Sequence, residues 1–190
     1  RIMNALGVAI DLSHVGARTS LDVIERSTAP VLVTHANAHA LAPLERNKTD
    51  DMIRAVAATG GVVGASIYGP MCWRGDPKRK PTLDDFLAHL DHLVNLVGVD
   101  HVGFGTDLAA GADLRRMAFE RETPRRWESI ESYMRTFGAD IPARYVEGFG
   151  GHDKLPALTA ALFARGWKEA DVAAYLGGNF RRVLGEVWGE

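Results

Sequence analysis

Two histidines and an aspartate stand where short apolar runs give way to turns. In Gly7-Val-Ala-Ile-Asp-Leu-Ser-His-Val-Gly16 an apolar run over 8–12, broken by one acid, ends in Ser13-His14, and Gly16 lets the chain turn. Val31-Leu-Val-Thr34 runs straight into His35, and His101-Val-Gly-Phe-Gly-Thr106 into Asp107. A further run, Val62-Val-Gly-Ala-Ser-Ile67, ends beside Tyr68. Imidazole nitrogens and carboxylates are zinc ligands and exchange protons near neutrality. One such histidine is more often a hydrogen-bonded corner residue. Two at equivalent corners, with an acid at a third, point to a site. Arg46-Asn47 lies just beyond the second corner, and a planar guanidinium grips a carboxylate through its fork.

The segments between these corners read as helices. Residues 1–6 resemble the last turn of one. Thr19-Ser-Leu-Asp opens another over 20–26, which Ser27-Thr-Ala-Pro30 ends. The stretch 36–44 reads as a loop or broken helix. Thr49-Asp-Asp caps a helix to residue 58, and Gly60-Gly61 stops it. After a loop over 68–81, Thr82-Leu-Asp-Asp caps a long helix with an apolar stripe at Leu83, Phe86, Leu87, Leu90, Leu93, Val94 and Val97, closed by Gly98. Helices follow at 155–165, 169–176 and 179–187. Residues 108–150 carry the weakest pattern and read as an insertion on the loop face, with a lid, a dimer contact and a disordered loop as the alternatives.

Strands alternating with helices predict an α/β fold with a parallel sheet. About four β/α units make half of a (β/α)8 TIM-like barrel over 1–190, with an open doubly wound sheet as the alternative. No Gly-x-Gly-x-x-Gly follows the first strand, which argues against a dinucleotide fold. In either parallel architecture the carboxyl ends of the strands face the ligand, so His14, His35, Tyr68 and Asp107 are expected on one edge. Gly103 and Gly105 bracket Phe104, the mark of a close backbone or ligand approach.

A net charge of -2 gives no electrostatic case for nucleic acid or an anionic membrane. The single Cys72 excludes an internal disulfide and a cysteine-based zinc site. With no membrane-length apolar run and no signal-peptide pattern in this chain, a soluble protein is expected, with the cytoplasm favoured. The remaining histidines read as structural or solvent residues: His89 and His92 on the long helix, His101 at the far end of its strand, His39 and His152 in loops.

Taken in order, Asp11-Leu-Ser-His14, Thr34-His-Ala-Asn-Ala-His39, Arg46-Asn47 with Asp50, Val102-Gly-Phe-Gly-Thr-Asp107 and Gly177-Gly-Asn-Phe-Arg-Arg-Val183 resemble the membrane dipeptidase (renal dipeptidase) family of zinc metallopeptidases, among the amidohydrolase-like barrels. The resemblance runs through the chain except over about 108–148. It implies two zinc ions bridged by a carboxylate and a water or hydroxide. By similarity, His14 and His35 are ligands of one ion. Asp107 sits beside the bridging water, holding the substrate amine or shuttling a proton. Arg46, helped by Tyr68, binds the carboxylate of a dipeptide. The family's His-x-Asp pair, bridging Glu and further substrate-side His belong to its amino-terminal half and have no counterpart in this chain. His89-Leu-Asp91 has the letters of the pair but lies mid-helix. Leu-Ala-Ala-Gly follows Asp107 where the family usually has a second acid.

Three functions compete. The first is a zinc-dependent dipeptidase with this chain as the carboxyl-terminal half of the barrel, inactive in isolation. Its missing half is then a separate chain, a further segment or a second protomer in a homo-oligomer. The second is a truncated, non-catalytic half-barrel binding module. The third is another amidohydrolase-like hydrolase of a small carboxylate-bearing amide.

Overall fold

The computed structural model describes residues 1–72, 80–108, 145–149 and 151–189. Four strands, β1 (Ile10–Asp11), β2 (Val31–Val33), β3 (Val62–Ala65) and β4 (Val102–Phe104), form one parallel sheet in the order β1-β2-β3-β4. The register pairs Ile10 with Val31, Leu32 with Val62, and Gly64 with Gly103. Alternation along the strands splits the sheet into two faces. Val31, Val33, Val63, Ala65 and Val102 point into the main core. Leu32 and Val62 point into a smaller cluster on the other side.

The main core is covered by α2 (Ala17–Arg26), α3 (Asp50–Ala58), α5 (Leu83–Val97), α6 (Leu155–Ala164) and α7 (Glu169–Ala173). The predicted stripe of α5 is where this burial is densest, with Phe86, Leu87, Leu90 and Leu93 all buried. Crossover helices all on one face, with strands in sequence order, give the winding of a barrel. A doubly wound sheet would reverse its order and place crossover helices on both sides. The opposite face receives α8 (Asn179–Trp188), through Phe180, Val183, Leu184 and Val187. The Phe180 ring fills the space over Gly103, where a Cβ would stand 2.4 Å from a ring carbon. A Cβ at Gly105 would meet the Thr34 carbonyl oxygen at 1.8 Å. The close approach expected at both glycines is therefore real.

β2 and β3 are shorter than their apolar runs because side chains take over backbone partners at their ends. Thr34 N donates to the Asp11 carboxylate and Ser66 N to the Asn37 side chain, so neither continues the ladder. Helix α2 starts at Ala17, with Gly16 as its extended N-cap, and Thr19 lies inside it rather than opening it. Thr49 and Thr82 do cap α3 and α5, the latter in a reciprocal capping box with Asp85. A short helix α4 (Gly69–Cys72) occupies the start of the segment expected to be loop, and a 3-10 turn, Val99–His101, precedes β4. The amino-terminal turn is present as α1 (Ile2–Ala5).

Most of the expected insertion lies outside the described residues. Residues 145–149 belong to the body of the fold: Val146 N donates to the Ile67 carbonyl, and Val146 and Phe149 are buried in the main core. Ile2, Leu6, Val8 and Trp188 are large apolar residues left exposed. No described helix is long and apolar enough to cross a membrane.

Candidate functional site

The first two corners are built on the Asp11 carboxylate. Its Oδ1 accepts from Ser13 N (3.0 Å), Ser13 Oγ (2.6 Å) and Thr34 N (2.9 Å), and its Oδ2 accepts from Thr34 Oγ1 (2.7 Å). Ser13 Oγ in turn accepts from His35 N at 3.1 Å. One acid thus ties the end of β1 to the end of β2. Its partial burial works to raise the pKa, but the hydrogen bonds from Ser13 and Thr34 outweigh that and hold it below the usual value.

This knot brings the two corner histidines together. His14 Nε2 and His35 Nε2 lie 2.9 Å apart, with ring centroids separated by 4.9 Å and planes inclined at 58°. His35 Nδ1 is 2.9 Å from Thr34 Oγ1. The Arg46 guanidinium donates to the Ser13 carbonyl and, at 3.2 Å, to His14 Nε2. Desolvation first, then the Arg46 charge, lowers the His14 pKa, so the neutral ring is favoured. Two imidazole nitrogens aimed at one point suit a zinc ligand set. Among the described residues no group of three or more His, Cys, Asp or Glu is arranged to hold a metal ion.

Asp107 follows β4 on the same edge. Its φ of 51° places it in the left-handed region, which aspartate tolerates better than most residues. With Thr34, His35, Phe104, Gly105, Thr106 and Phe180 it lines an open cavity. Its carboxylate acts electrostatically on both His14 and Arg46. Tyr68 is buried and packs edge-on against Tyr145, at 6.3 Å between centroids, and Tyr145 Oη donates to the Asp107 carbonyl at 3.4 Å. The structure therefore gathers His14, His35, Arg46 and Asp107 at one edge. Tyr68 joins them through Tyr145.

Sequence reasoning assigns no role to three supporting residues, although Asn37 and Asn47 fall within the motifs Thr34-His-Ala-Asn-Ala-His39 and Arg46-Asn47. Lys48 is 6% exposed, and its Nζ donates to the carbonyls of Leu12 (2.9 Å) and Val15 (3.1 Å), on either side of Ser13-His14. A lysine is the residue least expected inside. Asn37 Nδ2 donates to the Ser66 and Met71 carbonyls, while its Oδ1 accepts from Ser66 N. Asn47 Oδ1 accepts from Asn37 N, and its Nδ2 donates to the Ala42 and Met71 carbonyls. Of the pair Arg46-Asn47, only the arginine faces the site; the asparagine locks the loop that carries it. Three of the other histidines are structural. His89 is buried and its Nδ1 accepts from Ala38 N, His92 pairs with Asp50 at 2.8 Å, and His101 Nδ1 donates to the Gly61 carbonyl.

Comparison with known proteins bears on the fold and the family. The dipeptidase tcpJ of Claviceps purpurea is 29% identical over 187 residues, covering 98% of this chain and 36% of that protein. A crystal structure of an amidohydrolase from Pseudomonas aeruginosa superposes with a TM-score of 0.81 at 33% identity, over 99% of this chain and 55% of that one. A metallopeptidase from Rhodobacter sphaeroides, solved with a phosphinate mimic of the dipeptide L-Ala-D-Ala, gives 0.75 at 28% identity, over 98% and 44%. The chain thus spans about half the length of these solved structures and about a third of that curated relative. Residues 1–120, which hold all four corners, match the membrane dipeptidase family (peptidase family M19). The chain belongs to that family, and its parallel sheet is about half of the family's barrel.

Proposed function

We propose that this chain supplies one half of the active site of a zinc-dependent dipeptidase. The observation that carries the reading is the meeting of His14 Nε2 and His35 Nε2, with Arg46 and Asp107 on the same sheet edge. His14 and His35 would hold one zinc, and the ligands still needed, for this ion and for a second, would come from the rest of the barrel. The exposed Ile2, Leu6, Val8 and Trp188 favour such a covering partner, whether a further segment or a second protomer. Zinc supplies a more acidic water and a polarised scissile carbonyl.

This chain's own residues would do the rest. Arg46 is anchored through the Ser13 carbonyl and keeps further N–H donors for the terminal carboxylate of a dipeptide. Tyr68 lies on the Asp107 side, packed against the Tyr145 ring whose hydroxyl donates to the Asp107 carbonyl. Asp107, held at the corner by the turn after β4, would hold the substrate amine and pass a proton to the leaving nitrogen.

The test is hydrolysis of L-Ala-D-Ala by the full-length protein, before and after chelation. Activity lost to chelator and restored by zinc is expected. Hydrolysis indifferent to chelator, or no hydrolysis of any dipeptide by the zinc-loaded protein, would contradict the reading.

A further inference from the structure

We propose that Asp11 is a positioning residue that acts through the Thr34 hydroxyl to set the tautomer of His35, leaving the Nε2 lone pair free for a metal. The inference rests on counting hydrogens. Thr34 Oγ1 carries one hydrogen and has three polar neighbours, Asp11 Oδ2 at 2.7 Å, His35 Nδ1 at 2.9 Å and Ser13 Oγ at 3.0 Å. An ionised carboxylate can only accept. If the hydroxyl turned towards Nδ1, two acceptor oxygens would face each other at 2.7 Å. The hydroxyl therefore donates to Asp11, and His35 Nδ1 must donate to the hydroxyl. Ser13 Oγ, 3.0 Å from Thr34 Oγ1, does not supply the missing hydrogen, because its own goes to Asp11 Oδ1 at the shorter 2.6 Å. A neutral imidazole has one N–H, so His35 Nε2 carries the lone pair.

His14 leads to the same point from the other side. A guanidinium has no acceptor, so the contact between Arg46 and His14 Nε2 makes that nitrogen an acceptor. Two ring nitrogens without a hydrogen then lie 2.9 Å apart, with the single lone pair of His14 Nε2 shared with the Arg46 donor. Such a pair repels itself unless a cation lies against both. The arrangement is poised for a metal by groups that do not touch it, and the order of residues explains how. Asp11 closes β1 and Thr34 follows β2, so neighbouring parallel strands place the carboxylate beside the hydroxyl that precedes His35.

The inference builds on the reading of His35 as a ligand, but its direct readout is independent of activity. The full-length protein is labelled with 15N-histidine, and the imidazole nitrogens are followed by long-range proton–nitrogen correlation, before and after metal is stripped. We expect His35 to hold its proton on Nδ1 in both states. Thr34→Val should release the ring to a mixture of tautomers and weaken zinc binding by about 10- to 100-fold. Thr34→Ser, which keeps the hydroxyl, should restore both. Asp11→Asn should act in the same direction as Thr34→Val, and the Thr34 pair decides the matter if that variant fails to fold. A wild-type His35 protonated on Nε2, or a Thr34→Val protein with unchanged tautomer and zinc affinity, would overturn the inference. A protein with the expected tautomer that binds no zinc would uphold the relay and defeat the dipeptidase reading.

Discussion

The Lys48 ammonium donates to the Leu12 carbonyl oxygen at 2.9 Å, from 36 residues further along the chain. Its second bond, to Val15, makes it a clamp across the turn that carries His14. Burial lowers its pKa, with the nearby Arg46 charge adding to that, and the two carbonyls give the ammonium its hydrogen-bond partners. Lys48→Met keeps most of the volume and removes the donors. We expect a stability loss of about 1–3 kcal/mol and weaker zinc binding. Urea denaturation and zinc titration check both, and unchanged zinc affinity would remove Lys48 from the support of His14.

Arg46 should act on substrate by its charge. Arg46→Ala is expected to raise KM for dipeptides at least tenfold, about 1.4 kcal/mol of binding, while leaving KM for an amide without a carboxylate little changed. Steady-state kinetics on the two substrates separate the cases. Equal effects on both would take Arg46 out of carboxylate binding.

Asn37 is fully buried and its side chain satisfies three backbone groups around β3 and α4. Asn37→Ala strands those groups, and we expect a loss of about 2–4 kcal/mol, read as a lower urea midpoint. The loop bearing Arg46 depends on the same lock through Asn47.

Acid stability should report Asp11. Its pKa in the fold lies below its ordinary value of 3.8. Between those two values the unfolded chain binds a proton that the folded chain does not. Stability from this group is thus fully present above the ordinary pKa and is lost as pH falls through the folded one. Urea midpoints measured down through this range should fall, and should fall less steeply in Asp11→Asn. Parallel pH profiles in the two proteins would show that Asp11 contributes nothing to acid stability.

The alternation of strand and helix, the stripe of α5 and the edge shared by His14, His35 and Asp107 were all legible in the sequence. Each depends on local period or on the rule that parallel strands end together. What was not legible depends on partners distant in sequence. Lys48 reads as a surface residue because its carbonyl partners lie more than 30 residues away. Strand ends were misjudged because Asp11 and Asn37 take backbone donors that an apolar run would give to the ladder. The Gly177-Gly-Asn-Phe-Arg-Arg-Val183 motif was visible as a family mark but not for its work. Asn179 donates to the carbonyls of Val99 and Val102, and Arg182 to those of Gly60 and Asp100, fastening α8 where β3 and β4 begin.

The central claim is that His14 and His35 together bind one zinc. Metal analysis of the full-length protein beside its His14→Ala and His35→Ala variants tests it most directly. The account predicts about two zinc ions per site in the parent, about one in either variant, and loss of dipeptide hydrolysis in both. Variants that fold and keep the parent's zinc content would contradict it.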